Sequence, residues 1–447
     1  MSAPAVPAVR GGLPLVGHAL SLYRDPVGFL ASLPARGDLV RIRIGPVDAI
    51  MVCDADLAQQ VFRDDRTFDK GGPFSDRAEE IAKDNLVSCP HALHRRKRRL
   101  VQPAFAPARM PAYAGTMAAR IAEVVDSWRD GDVVDVPAQM TALTTNVLTS
   151  TMFADLLDPE ALRQSREDAD AIVAGMFTRM LVPPAVTRLP LPANRRFDRA
   201  RTRLRRTVAG IVAARRVEGG DRGDLLSALL VARDAESAEG ERALSDDEIV
   251  DLALTLHLAG SETTATTLTW ALHLLAGHPE VERRLHAEVD EVLAGRPAGY
   301  ADVEALAHTG RIVTETLRVR SPGWLFTRVV TVDTTLGGHR LPAGTTIAYS
   351  PYLIHHRADL YADPERFDPD RWDPALHAPP PRTSFLPFAN GARRCVGDRF
   401  SLVESVLALA SIAARVRFEH LPGAGDVRPA AAIVMRPRRL RMRVLAR

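Results

Sequence analysis

The sequence predicts a mostly helical fold with a smaller β-rich part. Apolar residues recur at helical spacing over Asp56 to Phe62, Pro111 to Trp128, Ala138 to Leu156 and Asp198 to Val217. Strand signals are confined to two regions, LVRIRIG with AIMVC around Gly45-Pro46, and Thr327 to Ile347. The 447 residues contain no long Gly/Ser linker and no internal repeat. One domain over 1–447 is therefore expected, against a length prior that leans towards more than one.

The chain opens on MSAPAVPAVRGGLPLVGHALSLYRDP, rich in Pro and Gly and without a long apolar run. This predicts neither a signal peptide nor a membrane anchor, and hence a cytoplasmic protein. Basic and acidic residues number 58 and 55, too close to balance for a nucleic-acid or membrane field. Cys53, Cys89 and Cys395 are far apart and odd in number, which excludes a disulfide framework and a Cys-x-x-Cys zinc site. Two stretches read as loops that can cover a pocket: Lys70 to His91, and the proline-rich Pro183 to Ala193.

The longest helix begins at Ser245, which forms a capping box with Glu248, and closes at Gly277-His278-Pro279. It spans roughly 45–50 Å, enough to cross a domain. Its middle, LHLAGSETTATTLTW, places Gly260 and a run of threonines where a core helix should be strongest. A threonine hydroxyl can take a carbonyl one turn back and bend the helix. Gly260 is either a packing glycine or part of a functional groove. Glu262 beside Thr263 favours function, because a buried carboxylate is costly unless paired or used.

Cys395, in FLPFANGARRCVGDRFSL, precedes a helix predicted over Val396 to Leu409. That placement favours a thiolate. Gly391 and Gly397 allow close backbone approach to something flat, and Arg393 and Arg394 add positive charge. A buried structural cysteine needs none of these, and a nucleophile needs a histidine partner that no local signature supplies. A haem-thiolate ligand remains. Haem propionates require cations: His94 and Arg98 lie one helical turn apart in HALHRRKRRLVQPAF, and Arg328 is a further candidate. HRRKRR also reads as a nucleic-acid patch or a solvated face. Glu315 and Arg318 can pair across a turn, and Arg371 can complete a buried network with them.

Phe388-x-x-Gly391-x-Arg393-x-Cys395-x-Gly397 resembles the haem-binding signature of the cytochrome P450 superfamily. Glu315-x-x-Arg318, Ala259-Gly260-x-Glu262-Thr263, His94-x-x-x-Arg98 and Pro369-x-Arg371 match its other motifs, in the family's order and across nearly the whole chain. Two positions depart from the common pattern: Ala389, where many members carry glycine, and Glu262, where many carry aspartate.

The resemblance implies a triangular single domain with haem b between the long helix and the cysteine loop. Cys395 would be the axial thiolate. Glu262 and Thr263 would relay protons to iron-bound oxygen from O2, with Gly260 leaving room for it. His94, Arg98, Arg328 and Arg393 would hold the propionates, and Glu315, Arg318 and Arg371 would support the loop. Electrons would come from NAD(P)H through a separate reductase and a ferredoxin or flavodoxin, docking near the cysteine loop and the His94 to Arg99 helix. The protein is expected to be a monomer.

The segments expected above the haem are apolar: Leu86, Val87, Met176, Phe177 and Met180, then Trp324, Leu325, Phe326, Ile433 and Val434. Each can equally be core. Scarcity of charge among them disfavours a substrate anchored by a carboxylate. The opening segment and HHRADLYADPERFDPDRW are similar to bacterial members that oxidise terpenes, so the expected substrate is an uncharged terpenoid. Fatty-acid or macrolide oxidation is the alternative. Rival classes are a haem-thiolate enzyme that does not oxygenate and a non-enzymatic haem sensor.

Overall fold

The architecture follows from where helix caps and strand breaks fall along the chain, in a computed structural model. It describes residues 5–45, 47–83, 85–154, 158–182, 184–237, 242–423 and 427–447. The central helix runs unbroken over Asp246–Ala276. Ser245 Oγ accepts the Glu248 N–H at 3.2 Å while the Glu248 carboxylate accepts the Ser245 N–H at 3.0 Å. This is the predicted capping box, and Asp246 and Asp247 face the positive helix end. The hydroxyls of Thr255, Thr263, Thr267 and Thr269 each donate to the carbonyl four residues back, at 2.7–3.0 Å. Threonine is tolerated here because its polar atom is satisfied within the helix.

Helices Val136–Phe153, Pro192–Glu218 and Asp398–Arg415 pack on the central one, Met110–Val125 packs on the first and last of these, and together they enclose the larger apolar core. The helix expected to reach Leu156 stops at Phe153, where Ala154 turns left-handed; Leu156 itself lies outside the described residues.

A smaller core lies on a five-stranded sheet. Its order is Leu39–Ile44, Val47–Val52, Thr346–Tyr349, Phe326–Val330, Phe68–Asp69. The predicted hairpin supplies the first two strands, turning at Gly45 with φ +59°. The predicted second β region supplies the next two, paired antiparallel with Arg328 opposite Ile347.

One expected loop is corrected. The stretch 70–91 contains a helix, Pro73–Ile81, started by Gly72 at φ +81° and by proline at the first helical position, where its missing N–H costs nothing. The proline-rich stretch from Pro183 contains a single helical turn, Pro184–Thr187; Pro183 lies outside the described residues. Among the described residues no helix is long and apolar enough to cross a membrane.

Candidate active site

The cysteine loop bridges the two cores: Phe388 packs on the helical core and Ala389 on the sheet core. The Cys395 N–H donates to the Phe388 carbonyl at 2.9 Å, which closes the loop below the sulfur. Gly391 has φ +69°, and a Cβ there would collide with the Phe62 carbonyl oxygen. Its smallness seats the loop on the Ala55–Arg63 helix. A Cβ at Gly397 would make only an ordinary contact, 3.7 Å from Phe105. Asn390 fixes the same seat, its amide donating to Gln59 Oε1 at 3.0 Å. Cys395 keeps open surface even though it is crowded by protein. That crowding raises its thiol pKa, while the Gly397 N–H and the Arg98 and Arg394 charges pull it back down. The helix after it starts at Asp398, two residues later than expected.

The strongest sign of an anion-binding site is Arg328. It is fully buried in its strand, and none of its three guanidinium nitrogens finds a hydrogen-bond partner. Burying an unpaired charge costs several kcal/mol. His94 is also buried. Desolvation, then the Arg393 and Arg98 charges, push it down to about 3, so it is neutral until an anion arrives. Lys70, missed in the sequence, belongs to the same cluster: burial and the charges of Arg328 and Arg393 push its ammonium well below the usual lysine range. A buried guanidinium without a hydrogen bond, with a lysine and a histidine whose charged forms burial disfavours, fits a group carrying carboxylates, such as haem.

Arg393 is placed differently from expectation. Its Nε and Nη2 donate to Asp65 and Asp69 at 3.1 and 2.9 Å, and Nη1 to the Cys89 carbonyl at 2.7 Å. It braces the loop, with little capacity left for a propionate. Arg98 donates to the Arg394 carbonyl at 2.5 Å and so ties the helix His91–Val101 to the cysteine loop. The other cations of that helix are neutralised: Arg95 pairs with Glu236, Arg96 with Glu248, and Arg99 with Asp234 and Glu236. The acidic residues Asp234, Glu236 and Glu248 thus offset part of the positive charge of the expected docking face.

Above the cysteine loop, the central helix is tied to the helix Asp398–Arg415 by the Thr264 and Ser401 hydroxyls at 3.1 Å. Glu262 is largely buried, and desolvation raises it to about 7 against the opposing charge of Arg436. Thr263 Oγ1 donates to the Ala259 carbonyl at 2.8 Å. A Cβ at Gly260 would come within 2.9 Å of Leu148, so its small size serves packing against the helix Val136–Phe153.

The expected Glu315–Arg318 pair is present and fully buried, with two bonds of 2.9 and 2.7 Å. Arg371 lies 3.5 Å from Glu315, and Trp372, which the sequence reading missed, donates its indole N–H to Glu315 at 2.7 Å. Of the apolar candidates, Val87, Phe177, Met180, Leu325, Phe326 and Ile433 keep partial exposure. Leu86, Met176, Trp324 and Val434 are buried core, and Trp324 spends its indole N–H on the Ala432 carbonyl. A cavity of about 500 Å³ between Glu79 and Asp251 is lined by none of these residues.

An open thiol at the end of a tight loop, a half-buried acid–alcohol pair on the central helix and a buried guanidinium without a hydrogen bond fit a haem-thiolate protein. The cytochrome P450 family model matches residues 7–444, and the chain belongs to that family. It is 43% identical to pentalenene oxygenase of Streptomyces avermitilis, over 98% of this chain and 96% of that protein. It is 42% identical to cyclooctat-9-en-7-ol 5-monooxygenase of Streptomyces melanosporofaciens, over 92% and 89%. Among solved structures, the cytochrome P450DA haem domain superposes with a TM-score of 0.88 at 26% identity, over 100% and 99%.

Proposed function

We propose that this protein is a monooxygenase that inserts one oxygen atom of O2 into a C–H or C=C bond of an uncharged terpenoid. The observation that carries the haem assignment is Arg328, buried with no close hydrogen bond to any of its guanidinium nitrogens. Haem b would be held by Cys395 on the iron, with Arg328, Lys70, His94 and Arg98 towards its propionates. When bound through a thiolate, the group supplies an electron-rich iron that favours cleavage of the O–O bond. Glu262, poised near neutrality, gives up and recovers a proton at its carboxyl, and the Thr263 hydroxyl passes it inward. The apolar side chains Val87, Phe177, Leu325 and Ile433 exclude water and orient a hydrocarbon. Electrons come from NAD(P)H through a separate reductase and a ferredoxin or flavodoxin, with the protein acting as a cytoplasmic monomer.

The terpenoid substrate is supported by the two relatives, whose names specify an alkene and an alkenol. In the purified protein, Cys395→Ser should abolish the thiolate-type absorption band of the reduced carbonyl complex; a retained band sinks the ligand assignment. A spin-state titration of the wild type should respond to cyclic terpenes. A response confined to fatty acids or macrolides would overturn the substrate class, and a response to terpenes without oxygen consumption when NAD(P)H and redox partners are supplied would overturn the monooxygenase.

A further inference from the structure

The buried acid of the central helix has a partner that belongs to none of the sequence motifs. Arg436 Nη1 lies 3.7 Å from Glu262 Oε1. The side chain of Arg436 is 53% exposed and that of Glu262 16%, so the guanidinium stands between solvent and the carboxyl.

The arm that carries Arg436 is fixed in place. The Trp270 indole N–H donates to the Met435 carbonyl at 2.9 Å, and the Met435 N–H donates to the Pro322 carbonyl at 2.9 Å. The Trp324 indole N–H holds the Ala432 carbonyl at 3.0 Å, and Arg436 pairs with Ala430 across a short strand ladder. Trp270 sits on the same helix as Glu262, so acid and arm share one scaffold. Ile433 and Val434 lie on this arm, which joins the apolar candidates to the acid.

A second carboxyl in this region is pushed up chiefly by its burial. Asp170, on the helix Pro159–Leu181, lies in the field of Arg436, Arg196 and Arg166, with Glu167 opposing. The negative charge of Asp170 also bears on Glu262. Of the charged groups acting on Glu262, Arg436 favours its ionised form and Asp170 its protonated form. Arg166 also faces the buried, neutral His257 one turn and a half before Glu262.

We propose that Arg436 is a positioning residue: it holds the Glu262 carboxylate at the solvent edge of the pocket, with the charge of Asp170 acting against it. Between them they set how readily Glu262 takes a proton from water and passes it inward. This rests on reading Glu262 as the proton donor. Inserting one oxygen atom consumes substrate, O2, two electrons and two protons, and releases product and water. The redox partner supplies the electrons and solvent supplies the protons through Glu262, while Arg436 itself never titrates.

The test is an infrared titration of the Glu262 carboxyl stretch in the haem-loaded protein, the band being assigned by its loss in Glu262→Gln. Arg436→Gln should move the midpoint to higher pH and Asp170→Asn to lower pH, by about one unit each, a tenfold change in proton affinity. Arg436→Lys should stay close to wild type. A midpoint that moves in neither variant, or in the same direction in both, overturns the proposal. If the midpoints split as expected while the ratio of product to peroxide stays constant across pH, the tether stands and Glu262 is not the proton donor.

Discussion

Two buried cationic clusters flank the cysteine loop, and they differ in what the protein does for them. Around Arg318 every donor is used: Nε and Nη2 on Glu315, Nη1 on the carbonyls of His355 and Pro364, and Nη2 again on Arg366. Around Arg328 no guanidinium nitrogen makes a close hydrogen bond and the Tyr349 hydroxyl feels its charge, while burial disfavours the charged forms of Lys70 and His94. A folded chain satisfies the charges it uses as scaffold, because each unmet one costs desolvation energy with no return. A cluster left unsatisfied is completed by something the chain does not encode. The same residue type, equally buried, therefore serves as brace on one side of the loop and as receptor on the other.

The largest expected effect separates the two. Arg318→Met strands Glu315 in the core and should destabilise the protein by about 3–5 kcal/mol whatever it has bound. Arg328→Met keeps the volume and removes a charge the fold does not satisfy. It should leave the melting temperature of the haem-free protein unchanged or higher, while haem passes to an acceptor apoprotein at least tenfold faster. Equal losses of stability in the two variants, with equal rates of haem loss, would erase the distinction.

Acidification discriminates more finely. His355 sits in the satisfied cluster, its Nδ1 at 3.2 Å from the Arg318 carbonyl and its Nε2 accepting the Leu386 N–H at 2.8 Å. Burial and the neighbouring His356 and Arg318 charges hold it well below the usual histidine range. His356 and His257 are likewise pushed down, to about 3 and about 4. With folded values depressed, the stability these groups contribute is complete above about pH 6.5. Below that the unfolded chain binds the extra protons, and each group loses about 1.4 kcal/mol per pH unit until its folded value is reached. The melting temperature should therefore fall between pH 7.5 and 5.5. His94 should contribute to that fall only in the haem-free protein, since a propionate beside it restores its charge. A flat profile would mean that these histidines are not held neutral.

What could be read from the sequence was local. The Ser245–Glu248 box, the Glu315–Arg318 turn and the threonine ladder are fixed by spacings of three or four residues, and each forms as expected. Cys395 stood out because its loop has a dense signature. What escaped was long-range: Asp65 and Asp69 take Arg393 across more than three hundred residues, and Asp234, Glu236 and Glu248 offset part of the charge of the basic helix from well over a hundred. No periodicity encodes such pairings. Lys70 escaped for a related reason, since a single lysine after a short strand reads as solvated until the sheet closes over it.

The smallest effect lies where the two clusters meet. Ala389 has φ +54°, in the left-handed region that an L side chain enters at a cost of about 1–2 kcal/mol. Glycine would enter that region freely, so the departure noted in the sequence has a physical price. Its N–H donates to the Leu386 carbonyl at 3.1 Å, and Leu386 is anchored to His355, so the satisfied cluster holds the turn that presents Cys395. Ala389→Gly should relieve the strain but also loosen the unfolded chain, leaving a net gain of about 0.5–1 kcal/mol in thermal or urea unfolding. If the strain belongs to the scaffold alone, the rate of haem loss stays at the wild-type value. If haem loss changes with stability, the strained turn is part of how the loop sets the thiolate, and the boundary between brace and receptor runs through Ala389.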